Sequence, residues 1–236
     1  MYSFQKLFLE TNSDSDKLHH HGYHRIYPWF ISHFKNQPIN LLEIGIQQTD
    51  SIKLWKSYFD DINFFGIDID LKKFDDPTVK LYQVDQSKEE ELINFTNNVG
   101  VEFDIIIDDG SHIPGHQKLT LKTFWKILKP GGVYIIEDIE TSYWGKSELY
   151  GYKFDSNSIN LFKSFKNCIS FINNEFLTAK NKDKIRLDDL RSIFEDVEII
   201  SFGYNSVILI KKDKSSFSSF YRSEYRFDHK IKGQRI

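Results

Sequence analysis

Two apolar runs late in the chain, VEIISF (197–202) and NSVILIKK (205–212), are separated only by Gly203 and Tyr204. A link that short can join only antiparallel neighbours, because parallel strands need a crossover of a dozen or more residues. Upstream the pattern is the opposite. Apolar runs at 39–46, 62–69, 79–84, 103–108 and 132–137 read as strands, and helix-like patterns fill 50–59, 87–97 and 115–128 between them. Such alternation implies right-handed crossovers and a largely parallel sheet with helices on both faces. The expected fold is therefore α/β, a seven-stranded, mostly parallel, Rossmann-like sheet closed by an antiparallel final hairpin. Lys129-Pro130-Gly131-Gly132 supplies the turn into the fifth strand. Residues 1–23 read as an irregular lead-in and 24–35 as an aromatic helix. A Phe-rich amphipathic helix is expected over 156–177 and a short one over 187–194, before a basic tail at 213–236.

Two of these strands stop abruptly in acid: FDIIIDDGSH ends in Asp108, Asp109 and His112, and GVYIIED ends in Glu137 and Asp138. Ligands of open α/β sheets bind beyond the carboxyl ends of the strands, so neighbouring ends would bring Asp109, Glu137 and Asp138 together. Unpaired carboxylates crowded in this way are poorly solvated and repel one another, and they call for a cation. Three oxygen donors without a cysteine favour Mg²⁺ or Mn²⁺ over structural zinc. His112, three residues beyond Asp109, can face the same cavity and take a proton near neutral pH. The other strand ends suit a nucleotide-like cofactor. Glu43 and Gly45 mark the first turn, and Asp68 is placed to accept from ribose hydroxyls. Asp85 and Gln86 suit an adenine ring, Asp108 an amino-acid moiety, and Ser51 with helix-start amides a carboxylate. Asp108 or Asp109 as a plain helix cap, with Ser111 assisting, is the structural alternative. Tyr143 and Trp144 could floor an acceptor site, and His21 and Tyr23 could line the pocket, whereas His19 and His20 carry no such reading.

At 236 residues with a net charge of −3, the chain suits one α/β domain and gives no reason to expect a nucleic-acid partner. One cysteine, Cys168, excludes an intrachain disulfide and fits a reducing, cytoplasmic setting. No apolar run reaches the length of a membrane span.

LLEIGI…SIKLW, FFGIDID, VDQS, FDIIIDDGSH, LKPGGVYIIEDIETSYW and the lead-in DK…HGY…Y together resemble the metal-dependent sugar O-methyltransferases of macrolide biosynthesis. The resemblance covers roughly residues 16–212. It implies a class I methyltransferase fold that binds S-adenosyl-L-methionine, Mg²⁺ and a sugar or glycan acceptor. By position it makes Asp109, Glu137 and Asp138 the metal ligands, with Asp109 and His112 catalytic and His112 the general base. It also places Glu43, Gly45, Asp68, Asp85 and Gln86 at the cofactor, to which the reading of the residues themselves adds Tyr23, Ser51 and Asp108, with His21, Tyr143 and Trp144 at the substrate. The division it suggests is 1–36 as a lead-in contributing to the site, 37–212 as the methyltransferase domain and 213–236 as a tail. Oligomeric state is left open.

One departure stands out. Where the family has a run of glycines, this chain has Gln47, Gln48, Thr49 and Asp50, so a differently built loop is expected, with Asp50 pointing outward. The same departure motivates the alternative of a non-catalytic scaffold with this fold. A methyltransferase acting on a non-sugar small molecule is the other alternative.

Overall fold

The computed structural model describes residues 21–47, 49–70, 72–143 and 190–213, together with Lys6, Ser15 and Lys17 of the lead-in. One seven-stranded sheet organises them, in the order β3-β2-β1-β4-β5-β7-β6. Its strands are β1 (Pro38–Ile44), β2 (Asp61–Asp68), β3 (Val79–Gln83), β4 (Phe103–Asp108), β5 (Leu128–Glu137), β6 (Val197–Gly203) and β7 (Ser206–Lys211). The first five pair in parallel. β7 returns antiparallel against β5 and pairs antiparallel with β6. The hairpin inferred from its short link is present, with Gly203 opposite Ser206, so the turn residues are Tyr204 and Asn205, one position later than the sequence suggested.

Alternation along each strand sorts the apolar side chains onto two faces. Leu42, Phe65, Ile67, Ile106, Tyr134 and Ile136 share one core with residues of α3 (Glu89–Asn98) and α4 (Pro114–Phe124). Leu41, Phe64, Ile105, Ile107, Val133 and Ile135 share the other with α2 (Asp50–Tyr58) and the lead-in residues Tyr23, Tyr27 and Ile31. Both faces are thus covered, as a parallel sheet requires.

Several boundaries differ from expectation for local reasons. The helix expected over 24–35 is a single α-turn, α1 (Pro28–Ile31), flanked by 3-10 turns at Tyr23–Arg25 and Ser32–Phe34. Pro28 removes one donor there, and the segment is fixed instead by its buried aromatic rings. Lys129–Gly132 lies within β5 as an irregularity, since Phe103 pairs with Leu128 and Ile105 with Val133. A short helix, α5 (Arg191–Phe194), stands where 187–194 was expected. The 156–177 stretch, the tail beyond Asp213, His19, His20, Trp144 and Cys168 lie outside the described residues. Among the described residues no helix is long and apolar enough to cross a membrane.

Candidate active site

The carboxyl ends of β1, β2 and β4 open onto a cavity of about 550 Å³ lined by Gly45, Asp68, Asp85, Gln86, Asp109 and His112 among others. That volume is within the usual range for small-molecule sites. It lies between the loops after β1 and β4, which pack backbone to backbone. Gly45 has φ +84°, and a Cβ there would lie 2.2 Å from the Asp109 carbonyl oxygen. Only glycine fits such an approach. The loop after Gly45 also keeps positive φ at Gln47 (41°) and Thr49 (66°). These are conformations that glycine would adopt freely. Side-chain-bearing residues are held in the left-handed region instead, at roughly 1–2 kcal/mol each. Asp50 pairs with the exposed Lys53 at 3.1 Å and faces outward, as expected.

At the acidic end, β4 and β5 bring their terminal side chains together. One ligand atom from each of Asp109, His112 and Asp138 falls within 4.8 Å of the others. His112 Nε2 stands 3.6 Å from Asp138 Oδ2. Both His112 (φ +57°) and Asp138 (φ +51°) hold left-handed backbone conformations, the kind of strain that collects at functional sites. Asp138 is fixed from three directions. Its Oδ1 accepts from the Tyr23 hydroxyl at 2.7 Å and from Asn205 Nδ2 at 2.9 Å, with His21 Nδ1 at 3.4 Å. The His112 carbonyl accepts from Thr141 Oγ1 at 2.6 Å, which ties the two loops together.

Glu137 belongs to the same strand end but points to a different partner. Its two oxygens accept from Lys17 Nζ at 2.9 and 2.8 Å, and Oε1 also accepts from the Tyr27 hydroxyl. Lys17 Nζ simultaneously contacts Asp109 Oδ2 at 2.5 Å and Glu43 Oε1 at 3.3 Å. Asp109 and Glu137 therefore lie against one ammonium. Burial opposes the Lys17 charge, but Asp109, Glu137 and Glu43 outweigh it and hold its pKa well above the ordinary value. Burial raises Glu137 well above the usual carboxylate range, Asp109 adds to that, and Lys17 works against it. Asp109 is raised for the same leading reason, and Lys17 and His112 counteract it.

Farther along the crevice, Asp68 Oδ2 accepts from the amides of Ile46 and Gln47, both at 3.0 Å, so it holds the first loop at the cavity rim. Asp85 accepts from the amide and hydroxyl of Ser87, which leads its pKa downward. Gln86 donates to Asp108 Oδ1 at 2.7 Å and accepts from the Ser111 amide at 2.8 Å, linking the ends of β3 and β4. Asp108 is fully buried and accepts from Thr120 as well, and burial pushes its pKa up to about 6. Ser51 donates to Glu43 at 2.6 Å. Tyr143 closes a 3-10 turn, Ile139–Tyr143, that follows Asp138 directly. Sequence reasoning missed Lys17, Tyr27, Asn205, Thr141 and Gln117, whose amide donates to the Glu137 carbonyl at 2.8 Å.

A mostly parallel sheet in this strand order, with its antiparallel last strands and an acid-lined crevice over β1, β2 and β4, has the class I methyltransferase fold. No protein-family model matches the chain. The chain is 36% identical over 144 residues to the 8-demethyl-8-alpha-L-rhamnosyl tetracenomycin-C 2'-O-methyltransferase of Streptomyces olivaceus, covering 58% of this chain and 38% of that one. It is 35% identical over 131 residues to the mycinamicin VI 2''-O-methyltransferase of Micromonospora griseorubida, covering 49% of this chain and 33% of the relative. The chain thus spans little more than a third of the curated relatives it matches. Its fold resembles that of MycE, a methyltransferase of the mycinamycin biosynthetic pathway solved with Mg and SAH, at a TM-score of 0.75 and 25% identity. That match covers 91% of this chain and 54% of MycE. The homologues are sugar O-methyltransferases, and the resemblance read from the strand-end motifs holds.

Proposed function

We propose that this chain is an S-adenosyl-L-methionine-dependent, Mg²⁺-assisted O-methyltransferase acting on a hydroxyl of a sugar, in a glycan or a secondary metabolite. The observation that carries the reading is the convergence of Asp109, His112 and Asp138 at the edge of the strand-end cavity. Homology to sugar O-methyltransferases supports it. Asp109 and Asp138 would hold the cation, with Glu137 behind them on the same strand end. Two carboxylates, completed by water or acceptor oxygens, make a hard oxygen donor set compatible with Mg²⁺ or Mn²⁺, and the imidazole of His112 stays free beside them. The cavity wall of Gly45, Asp68, Asp85 and Gln86 would receive the nucleoside part of the cofactor. Tyr23, Glu43, Ser51 and Asp108 belong to the same proposed set through their neighbours, Tyr23 meeting Asp138, Glu43 meeting Ser51 and Lys17, and Asp108 meeting Gln86 and Thr120. His21, Tyr143 and Trp144 are the proposed acceptor contacts.

When bound, the cation lowers the pKa of an acceptor hydroxyl and the cofactor offers its methyl on a sulfonium. The rest falls to the protein. His112, only part-buried and beside Asp138, takes the hydroxyl proton at Nε2, and the Asp138 carboxylate stabilises the imidazolium that results. Asp138 can do this without swinging away because Tyr23 and Asn205 already occupy its other oxygen. The lead-in at 1–36 completes this pocket, the domain spans 37–212, and 213–236 is a tail of unassigned role. A cytoplasmic setting belongs to the same proposal and suits the lone cysteine.

Labelled cofactor and Mg²⁺, presented with a panel of nucleotide sugars and glycans, test the reading. Transfer that His112→Ala abolishes while calorimetry still registers S-adenosyl-L-methionine binding is the expected result. No cofactor binding across the millimolar range would overturn the proposal in favour of a non-catalytic scaffold.

A further inference from the structure

Lys17 has no role in the chemistry described so far, yet it is 1% exposed and its ammonium touches three carboxylates. A buried lysine is seldom kept without a charge to meet, and this one meets three, from the ends of β1, β4 and β5. Glu137 gives both of its oxygens to Lys17, whereas the group of atoms close enough to share one ion comprises Asp109, His112 and Asp138. Asp109 alone belongs to both sets, with Oδ2 on the ammonium.

We infer that Lys17 is a positioning residue of the cation site, an internal ammonium that holds Glu43, Glu137 and Asp109 in place and competes with a divalent ion for Asp109 and Glu137. The inference rests on the metal-assisted reading above and adds a second cation to it. Two consequences follow from Coulomb's law inside a poorly solvated pocket. Without a divalent ion, Lys17 is what keeps the neighbouring carboxylates from repelling one another. With one, the ammonium is a like charge a few ångströms away, so it weakens metal binding and confines it to the side of the cluster where His112 stands. A core-filling lysine would have the first effect without the second.

The test is Mn²⁺ binding by isothermal titration, paired with thermal unfolding in EDTA and in Mn²⁺, on the full chain and on Lys17→Met. The variant is expected to melt lower than wild type in EDTA, to gain more from Mn²⁺, and to bind Mn²⁺ at least tenfold more tightly. Lys17→Met/Glu43→Gln removes one charge of each sign and so keeps the net charge of the cluster. It covers the case in which the single variant does not fold, and binding at least threefold tighter than wild type is expected from it. Unchanged or weaker Mn²⁺ binding in whichever variant folds overturns the role given to Lys17 while leaving the metal-assisted reading intact. Absence of Mn²⁺ binding in wild type and variants alike overturns both.

Discussion

Asn205 is the sharpest place to perturb the site without touching an acidic group. It sits in the two-residue turn between β6 and β7 with φ +53°, where asparagine is tolerated far better than most residues. Its Nδ2 donates to Asp138 at 2.9 Å, and its Oδ1 accepts from the Glu140 amide at 2.9 Å. Asn205→Gly deletes both bonds while keeping the backbone at ease. One bond is to a charged group, worth about 1.5–3 kcal/mol, and one is neutral, worth about 0.5–1.5 kcal/mol, so a loss of roughly 2–4.5 kcal/mol is expected. Asn205→Ala loses the same bonds and adds a left-handed β-carbon at about 1–2 kcal/mol. Alanine recovers about 0.4–1 kcal/mol of this through the smaller entropy of its unfolded chain, so it should fall below glycine by about 1 kcal/mol. Urea unfolding followed by tryptophan fluorescence reads both values, since Trp55 and Trp125 are buried at 0% and 6% exposure. The denaturant slope should stay constant while the midpoint moves. A glycine variant within about 0.5 kcal/mol of wild type, the range of ordinary surface substitutions, would refute the clamp. An alanine variant as stable as glycine would refute the backbone part of the reasoning.

Other substitutions probe different parts of the frame. Gly45→Ala combines a φ of +84° with a Cβ placed 2.2 Å from the Asp109 carbonyl oxygen, and no rotamer change can relieve a backbone clash. It should cost about 2–5 kcal/mol, strain and overpacking together, and abolish cofactor binding; a folded variant with unaltered calorimetric binding would contradict this. Tyr27→Phe removes the hydroxyl donated to Glu137, and it should lower the melting temperature and weaken Mn²⁺ binding with the ring packing kept. Identical Mn²⁺ titrations for the two proteins would deny the hydroxyl a part in the site. Asp76 is held down to about 2 by hydrogen bonds from Lys56 and Thr78. Because its folded pKa lies below its unfolded one, its stabilisation is complete above about 4 and disappears as pH falls toward 2. The stability gap between wild type and Asp76→Asn should therefore shrink on acidification through that window, and a gap independent of pH would rule the pairing out.

The frame of this protein was legible because period and link length are local properties. Two residues between apolar runs force a hairpin, and five strands ending in polar residues align their ends at one edge of a parallel sheet. Asp109, Glu137 and Asp138, with His112 beside them, could be grouped in advance for that reason alone, whereas the turn of Glu137 toward Lys17 could not. Lys17 could not be found in this way. It stands 92 residues from Asp109 and 120 from Glu137 in a polar stretch, and nothing in its neighbours announces burial. Tyr27 reads as one more apolar position of an aromatic helix, since spacing reports the ring and not the hydroxyl. Asn205 did carry a signal: asparagine in a tight turn after glycine and tyrosine favours the left-handed region. What its side chain reaches, however, depends on β7 lying beside β5, a consequence of the whole sheet. In the glycine-poor loop the Asp68 carboxylate holds the amides of Ile46 and Gln47, and Gln47 and Thr49 carry positive φ, neither of which spacing alone would show.

That the lead-in belongs to the site follows from how its rings are stacked. His21, Tyr23, Tyr27 and Trp55 form a column with successive centroids 5.3, 5.4 and 6.0 Å apart. Trp55 anchors the column in α2, and Tyr23 and Tyr27 turn their hydroxyls toward Asp138 and Glu137, consecutive residues at the tip of β5. Consecutive residues on a strand point to opposite faces, so no single neighbouring element could meet both in regular geometry. Here the left-handed Asp138 breaks the alternation and lets one stack of rings serve both carboxylates. Each hydroxyl is buried against an acid, and its pKa is raised chiefly by desolvation, so both stay protonated and donate at any pH the fold survives. The tyrosines are therefore fixed donors rather than proton carriers. Lys17, Tyr23 and Tyr27 are each committed to a carboxylate, which is why the proposed function gives the proton to His112 rather than to any of these three.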